Sequence, residues 1–320
     1  MRRVALLAVA VVLAGCGEEQ STLRPESDAS RSFDTMWWVL LIGSTIVVAI
    51  VTVLVLATLL RRRGTFDHVE RGGGGTTFAL VSGAVIPAVV LVALFIYVLS
   101  SLDATAQPKG RSDVNIEVVG KQWWWEVRYP DQDIVTANEI HIPVGVPVRV
   151  VARTADVIHS FWVPRLNRKI DMIPGRRNAI LLQADRAGTY RGQCAEFCGL
   201  QHANMAFYVV AERSQRWQRW VARERRPAAA GGTGERLFIR SGCSGCHTIQ
   251  GTEARGDVGP DLTHVASRRT LAAGTIPNAR RRLADWIRDP QHVKPGNKMP
   301  ALGLRGRRLD ALVDYLESLR

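Results

Sequence analysis

The stretch CAEFCGLQHANM, residues 194–205, combines two cysteines with a histidine and a methionine. An isolated histidine lies thirty-five residues before the first of these cysteines. The candidate metal ligands in these two places are His159, Cys194, Cys198, His202 and Met205. Two thiolates, two imidazoles and a thioether suit a soft transition metal. Two other interpretations remain open at this point, a disulfide between the cysteines and a structural zinc site, although zinc would not need the methionine.

A second metal-binding sequence follows at residues 243–247, where CSGCH matches C-x-x-C-H. This is the attachment sequence of a c-type haem. Cys243 and Cys246 would form the two thioethers, and His247 would be the proximal iron ligand. One chain is therefore predicted to carry two electron carriers.

The N-terminus has the pattern of a lipoprotein signal peptide, which we predict in residues 1–15. Two arginines precede an apolar run over residues 4–13, and LAGC at residues 13–16 resembles a lipobox. Cys16 would then be lipidated and become the new N-terminus. An ordinary signal peptide that happens to contain a cysteine is the alternative.

Two later stretches are long and apolar enough to cross a membrane. Residues 36–60 contain no charged side chain, and residues 76–102 repeat the pattern with Pro87 in the middle. About 20 apolar residues cover the hydrocarbon core, so both stretches predict membrane helices, with buried soluble helices as the alternative. The arginine-rich loop at residues 61–71 is placed in the cytoplasm by the positive-inside rule. Everything after residue 102 is then extracytoplasmic.

The cysteine count and the net charge restrict the class of protein further. Lipidation, the first thiol pair and the haem pair account for all five cysteines. The net charge of +13 is carried mostly by arginine, in clusters such as residues 223–226 and 280–282. Such clusters attract anionic lipid or acidic protein surfaces, or they form a solvated face. For an exported chain we predict no nucleic-acid partner.

The pattern between residues 108 and 226 is that of strands. Short segments rich in β-branched and aromatic residues predict an antiparallel β-sandwich. These segments are residues 115–119, 124–129, 139–142, 146–152, 178–183, 188–193 and 206–212. The ligand run falls between the last two strands, and His159 is predicted on an earlier loop.

A separate small domain is predicted after a linker at residues 227–233. Residues 234–320 indicate a helix that leads to Cys243, helical stretches around residues 280–288 and a final amphipathic helix. The apolar face of this last helix is formed by Leu309, Leu312, Val313, Leu316 and Leu319. Because the domain has a small core, a covalently attached haem would supply much of its apolar contact.

Four segments carry a resemblance to subunit II of the haem-copper cytochrome c oxidases. They read QWWW at residues 122–125, HSFWVP at 159–164, DMIPG at 171–175 and GQCAEFCGLQHANM at 192–205. The resemblance covers residues 30–212, and with the C-x-x-C-H domain the mature chain looks like the fused, caa3-type subunit. It implies a membrane-anchored multidomain protein with a transmembrane hairpin within residues 16–107, a cupredoxin-like sandwich and an all-α cytochrome c domain.

In that family the ligand cluster is a dinuclear copper centre called CuA. Carried over to this chain, the resemblance implies two bridging thiolates, one histidine on each copper, a thioether and a backbone carbonyl. The bridging thiolates would be Cys194 and Cys198, and the two histidines His159 and His202. The thioether would be that of Met205, and the backbone carbonyl that of Glu196. The Glu196 side chain would help to bind magnesium at the interface with subunit I. Trp123 would be the aromatic residue through which electrons reach CuA, and core packing or membrane anchoring is the alternative role for Trp124 or Trp125.

The same resemblance implies a sixth haem ligand, and at one position this chain departs from the family pattern. Met299, followed by Pro300, resembles the distal ligand of class I cytochromes c, with His264 and His292 as the alternatives. Ligation by histidine and methionine raises a haem's reduction potential. Leu80 stands where many relatives have a glutamate near the mouth of a proton path, and His68 and His141 are interpreted as ordinary polar residues.

The predicted function is the electron-accepting subunit of an oxygen-reducing, proton-translocating oxidase. Electrons would arrive at haem c from cytochrome c or a quinol–cytochrome c reductase complex, pass to CuA, and continue to subunit I, where oxygen is reduced to water. Other oxidase subunits and membrane lipid would be its remaining partners. The alternatives are the same relay in a nitric oxide reductase, and a membrane-anchored copper or zinc module without redox turnover.

Overall fold

The computed structural model describes residues 18–60, 74–105, 112, 114–228 and 231–320. The predicted signal peptide, Cys16, His68 and the arginine-rich loop lie outside these residues. The described chain divides into two units, of which one contains residues 31–106 and the other contains both extramembrane domains.

Both predicted membrane segments are helical. Helix α1 is Asp28–Leu60, and the second segment consists of α2 (Gly74–Leu80), a π-helical turn (Val81–Val85) and α3 (Ile86–Thr105). Their apolar side chains are exposed, and both helices are long and apolar enough to cross a membrane. The π turn lies just before Pro87, whose ring would clash with the carbonyl four residues back in a regular helix, so the wider turn relieves that conflict.

Ten strands form the predicted sandwich. They are β1 (Val114–Lys121), β2 (Trp124–Tyr129), β3 (Ile134–Ala137), β4 (Glu139–Pro143), β5 (Val148–Thr154), β6 (His159–Trp162), β7 (Ile170–Met172), β8 (Asn178–Leu182), β9 (Gly188–Cys194) and β10 (Ala206–Glu212). One sheet has the order β3-β2-β1-β5-β8 and the other β4-β10-β9-β6-β7. The sandwich is confirmed, but β1 with β5 and β4 with β10 pair in parallel. Each sheet is therefore mixed rather than purely antiparallel. The sequence could not predict this, because the alternation of residue types does not encode strand direction.

The core between the sheets is aromatic near the ligand run. Trp125 is fully buried, and its ring lies edge-on to Phe161 and Phe207, with ring centroids 6.2 and 5.0 Å apart. On β5, Val148, Val150 and Ala152 alternate inward. Burying one such large side chain contributes roughly 1.5–3 kcal/mol. Three of the proposed ligands, Cys194, Cys198 and Met205, belong to this same core.

The prediction that His159 lies on a loop is wrong, because His159 is the first residue of β6. This strand pairs with β7 and with the end of β9, where Phe161 lies opposite Cys194. β7 is the next strand along the chain, but β9 is distant in sequence, and a strand of four residues is too short to show a clear alternation. The pairing brings the isolated histidine beside the first cysteine.

The C-terminal domain is helical, as predicted. After α4 (Ser214–Glu224) of the sandwich domain come α5 (Thr233–Arg240), α6 (Arg280–Arg288), α7 (Pro290–Val293) and α8 (Gly306–Ser318). The predicted apolar face of α8 is buried in the core of this domain. A small hairpin of β11 (Thr270–Leu271) and β12 (Ile276–Pro277) is an addition that the all-α prediction did not include.

Part of the predicted linker belongs to the C-terminal domain. The Ala228 N–H donates to the carbonyl of Gln250 at 2.9 Å, and its side chain packs on the core of that domain. The linker therefore has a fixed attachment point at its beginning.

Candidate metal centre and haem cavity

The predicted copper ligands lie together in one largely buried cluster. Cys194 Sγ lies 3.8 Å from Cys198 Sγ and 3.8 Å from His159 Nδ1. Cys198 Sγ lies 3.6 Å from His202 Nδ1 and 3.7 Å from Met205 Sδ. The two sulfurs are too far apart for a disulfide, whose S–S bond is about 2.05 Å. Each thiol has its own histidine, an arrangement that suits two metal ions bridged by two thiolates.

A backbone carbonyl completes the cluster. The Glu196 carbonyl oxygen accepts from Cys194 Sγ at 3.2 Å. The Glu196 side chain instead faces outward, 44% exposed and 3.9 Å from Lys169 Nζ, which also lies 4.0 Å from Asp171. The carbonyl is thus placed with the sulfur ligands, whereas the carboxylate is placed at the surface.

His159 is held in one orientation by its neighbours. Its side chain is fully buried, and its Nε2 lies 2.8 Å from Asp156 Oδ1. The hydrogen bond assigns the ring proton to Nε2 and leaves Nδ1 free on the side of Cys194. Gly120 lies against the ring, where an added Cβ would come within 2.8 Å of Cδ2. Asp156 and Gly120 are functional neighbours that the sequence did not reveal.

The two thiols differ in acidity because they face each other. The side-chain contact with Cys198 lowers the pKa of Cys194 to about 3, against the effect of burial and with further help from His159. The pKa of Cys198 is raised by the same contact and by burial. Without a cation, only one of the pair ionises readily. Positive charge from metal ions would stabilise a pair in which both thiols are ionised.

The three tryptophans of the QWWW segment have different environments. Trp123 donates its indole N–H to the carbonyl of Cys198 at 3.0 Å, and Gln122 Nε2 donates to the same oxygen at 2.8 Å. Trp125 is a core residue. Trp124 lies under Lys121, with Nζ 4.8 Å from the ring centroid. Trp123 thus contacts the cluster through the backbone of Cys198, and the buried Trp125 donates its indole N–H to the carbonyl of Met205 at 3.4 Å.

A large, mainly apolar cavity contains the predicted haem-binding residues. Its walls include Cys243, Cys246, His247 and Met299, together with Trp123 from the sandwich domain. His264 and His292 do not line it; His264 Nε2 is 3.0 Å from the Arg226 carbonyl oxygen, and His292 is exposed on α7. The structure therefore groups Met299, and neither histidine, with the C-x-x-C-H sequence.

Local contacts in this cavity suit a haem. His247 Nδ1 lies 2.7 Å from the Pro260 carbonyl oxygen, so Nε2 is the nitrogen free to bind iron. Gly259 lies against the same ring, where a Cβ would come within 2.6 Å of Cε1. Arg268 Nε and Thr270 Oγ1 are buried, line the cavity and have no hydrogen-bond partner. A haem propionate is a carboxylate, the kind of acceptor that these donors lack.

His141 is more specialised than an ordinary polar residue. It lies between Glu139 and Glu212, and its ring stacks on Trp220 at 4.4 Å. Burial opposes its protonation, but hydrogen bonds to the two carboxylates outweigh burial and raise its pKa. The residue joins β4 to α4.

Two family models match the chain. Cytochrome C oxidase subunit II, periplasmic domain, matches residues 132–212, and cytochrome c matches residues 232–320. Among solved structures, the periplasmic domain of subunit II of cytochrome oxidase of Bradyrhizobium japonicum is 34% identical, with a TM-score of 0.35, and the match covers 36% of this chain and 95% of that one.

Curated relatives match over the full length. Cytochrome c oxidase subunit 2 of Alkalihalophilus pseudofirmus is 34% identical, covering 100% of this chain and 97% of that protein. The protein of the same name from Bacillus subtilis is 31% identical, covering 100% and 98%. Since these matches extend across both metal-binding domains, the chain belongs to the cytochrome c oxidase subunit 2 family, in the form that carries a C-terminal cytochrome c domain.

Proposed function

We propose that this chain accepts electrons from an external donor through its C-terminal domain and delivers them, through its sandwich domain, to the oxygen-reducing subunit of a haem-copper oxidase. One observation carries the proposal. Trp123 lines the haem cavity and also donates a hydrogen bond to the backbone of Cys198. A single side chain thus joins the two predicted redox sites.

The residues of the sandwich would hold a dinuclear copper centre. Cys194, Cys198, His159 and His202 would hold the two ions. Met205 Sδ and the Glu196 carbonyl, each close to one sulfur, would be the weaker ligands. Soft thiolates and a thioether favour reduced copper, while imidazoles suit both oxidation states, so this donor set supports one-electron chemistry with little rearrangement.

The C-terminal domain would hold a covalent haem c. Thioether bonds to Cys243 and Cys246 would hold the haem, and His247 and Met299 would bind its iron. Arg268 would pair with a propionate, because its buried Nε has no other partner. When bound, haem and copper supply the electron-accepting and electron-donating chemistry, and the protein side chains hold them in place.

The surroundings of the chain are proposed from the same family likeness. The match to a periplasmic domain and the two apolar helices support a multi-pass membrane protein with both metal domains on the extracytoplasmic side. Lipidation of Cys16 would add an anchor. The exposed Glu196 carboxylate could contribute to a magnesium site against subunit I, with Lys169 displaced from it. Cytochrome c, or a reductase complex that carries one, is the proposed donor.

The proposal is tested with the full-length chain in its purified oxidase. Two coppers and one covalent haem per chain are expected, and a single zinc would contradict the copper assignment. Trp123→Phe should slow the electron transfer between haem and copper without changing either absorption spectrum, because it removes the hydrogen bond to Cys198. Trp217→Phe is a matched control, since Trp217 Nε1 is buried without a hydrogen-bond partner. An unchanged rate in Trp123→Phe would contradict the proposed path.

A further inference from the structure

Lys294 joins the two metal domains through backbone carbonyls. Its Nζ donates to the carbonyls of Trp123 at 2.8 Å, Asn204 at 2.7 Å and Ala272 at 2.9 Å. The first two acceptors belong to the sandwich domain, and the third belongs to the β11–β12 hairpin of the haem domain. Lys294 belongs to the haem domain, yet two of its three hydrogen bonds are donated to the sandwich domain.

The environment of Lys294 is unusual for a lysine. Lys294 is only 2% exposed. Within residues 114–228 and 231–320, no carboxylate forms an ion pair with its ammonium group. Burial lowers the pKa of Lys294 to about 7. Three carbonyl oxygens match the three N–H groups of an ammonium and offset this cost. A buried lysine with such partners indicates a defined structural role, because leaving any of these polar groups unpaired would be costly.

Neighbouring contacts form the same interface around Lys294. The Ala206 N–H donates across the boundary to the Ala273 carbonyl at 3.0 Å, and Gln201 Nε2 donates to the Pro295 carbonyl at 2.6 Å. Asn204 and Ala206 flank Met205, and Trp123 lines the haem cavity. Lys294 thus connects the segment beside a copper ligand, the tryptophan at the haem cavity and the haem domain's hairpin.

We propose that Lys294 is a positioning residue that holds the haem domain in one docked position on the sandwich, with the haem cavity against Trp123. The proposal rests on the relay described above. In this arrangement the haem domain does not need to swing on its linker for each electron. The linker would keep the domain nearby, and Lys294 would fix its orientation.

The test uses Lys294→Met in the full-length oxidase, because methionine keeps an unbranched stem and removes all three donors. Hydrogen bonds to a charged group contribute substantially to the free energy of docking. We therefore expect a roughly ten- to hundredfold fall in the ratio of docked to undocked domain. Hydrogen exchange of the Ala206 amide, which donates across the boundary, should accelerate accordingly. Photoinduced electron transfer from haem to copper should slow, while both absorption spectra stay unchanged.

Two further variants make the result specific. Lys294→Arg retains charge and donors and should restore part of the Ala206 protection and part of the rate. Arg307→Met removes an exposed cation of the haem domain and should change neither. Unaltered Ala206 exchange and electron transfer in Lys294→Met would overturn the proposal. Absence of haem or copper from the unsubstituted oxidase would contradict the relay instead, since Ala206 exchange reports docking without either group.

Discussion

At the scale of single residues, the proposed metal ligands are held in place by side chains outside the ligand set. Asp156 accepts a hydrogen bond from Nε2 of His159 and, through its other oxygen, one from the backbone N–H of Gln122 at 2.6 Å. Gln122 in turn donates to the carbonyl of Cys198. One carboxylate therefore orients a ligand and the segment that carries Trp123. Burial opposes its ionisation, but these hydrogen bonds outweigh burial and lower the pKa of Asp156.

Replacing Asp156 with asparagine should weaken copper binding. The amide NH2 group cannot accept the Gln122 N–H, so either this bond or the one to His159 is lost. Loss of such an outer-shell partner typically costs roughly 10- to 100-fold in metal affinity. The measurement is copper release to a chelator from the purified oxidase. Asp133→Asn, an exposed position with φ of 54° that asparagine tolerates, should release copper at the wild-type rate.

Gly120→Ala tests the packing against His159. The added methyl group would lie 2.8 Å from Cδ2 and 3.0 Å from Cγ of the imidazole, so the ring must move. Overpacking of this kind costs about 1–3 kcal/mol, and we expect reduced copper content by elemental analysis with a lower thermal midpoint. Gly188→Ala meets nothing closer than Tyr190 Oη at 3.7 Å and serves as the control. Full copper occupancy in Gly120→Ala would show that the ring is not confined.

The grouping of the proposed ligands was predictable from sequence, whereas the residues that support them were not. Cysteine, histidine and methionine are uncommon residue types whose spacing indicates metal chemistry. Gly120, Asp156 and Lys294 are common types whose roles arise only from tertiary contacts. The Lys294 side chain donates to backbone carbonyls. Every residue has such a carbonyl, so no sequence pattern identifies these partners.

At the scale of secondary structure, long segments with a clear period were predicted and short ones were not. The apolar faces of α8 and of β5 follow directly from residue spacing. Strands β6 and β7 have four and three residues, too few for a pattern, although β6 carries His159. Parallel pairing of β1 with β5 joins strands separated by three others, and this depends on the whole sandwich.

The contact between β4 and α4 should depend on pH. His141 bridges Glu139 and Glu212, and Arg216 also pairs with Glu212. Because the folded pKa of His141 is raised above 6.5, its contribution to the free energy of unfolding is complete below pH 6.5 and is lost as the pH rises through the raised value. The thermal midpoint of the sandwich should fall over that window. His141→Gln should flatten the dependence, and an unchanged slope in this variant would assign it to other groups.

At the scale of the whole molecule, the two metal domains have separate cores and a shared functional surface. The core around Trp125 belongs to the sandwich, and that around Phe238 belongs to the haem domain. The haem cavity lies where they meet, with walls from both. The sequence predicted a linker of flexible composition, whereas the structure attaches Ala228 and docks the haem domain. The composition of a linker predicts that its backbone is flexible. It does not predict the contacts between the domains that the linker joins.

Separate cores allow each redox site to be removed alone, which tests the order of electron flow. In His247→Ala the sandwich keeps its core and its copper ligands, so copper absorbance should persist while oxidation of the external donor stops. In Cys198→Ser the haem domain keeps its cavity, so the haem should be reduced by the donor and remain reduced, because its normal acceptor is gone. Stopped-flow absorbance of the unsubstituted complex should show haem reduced before copper. Copper reduced first by the natural donor would mean that electrons reach the sandwich without passing through the C-terminal domain, and the cavity at Trp123 would then have another role.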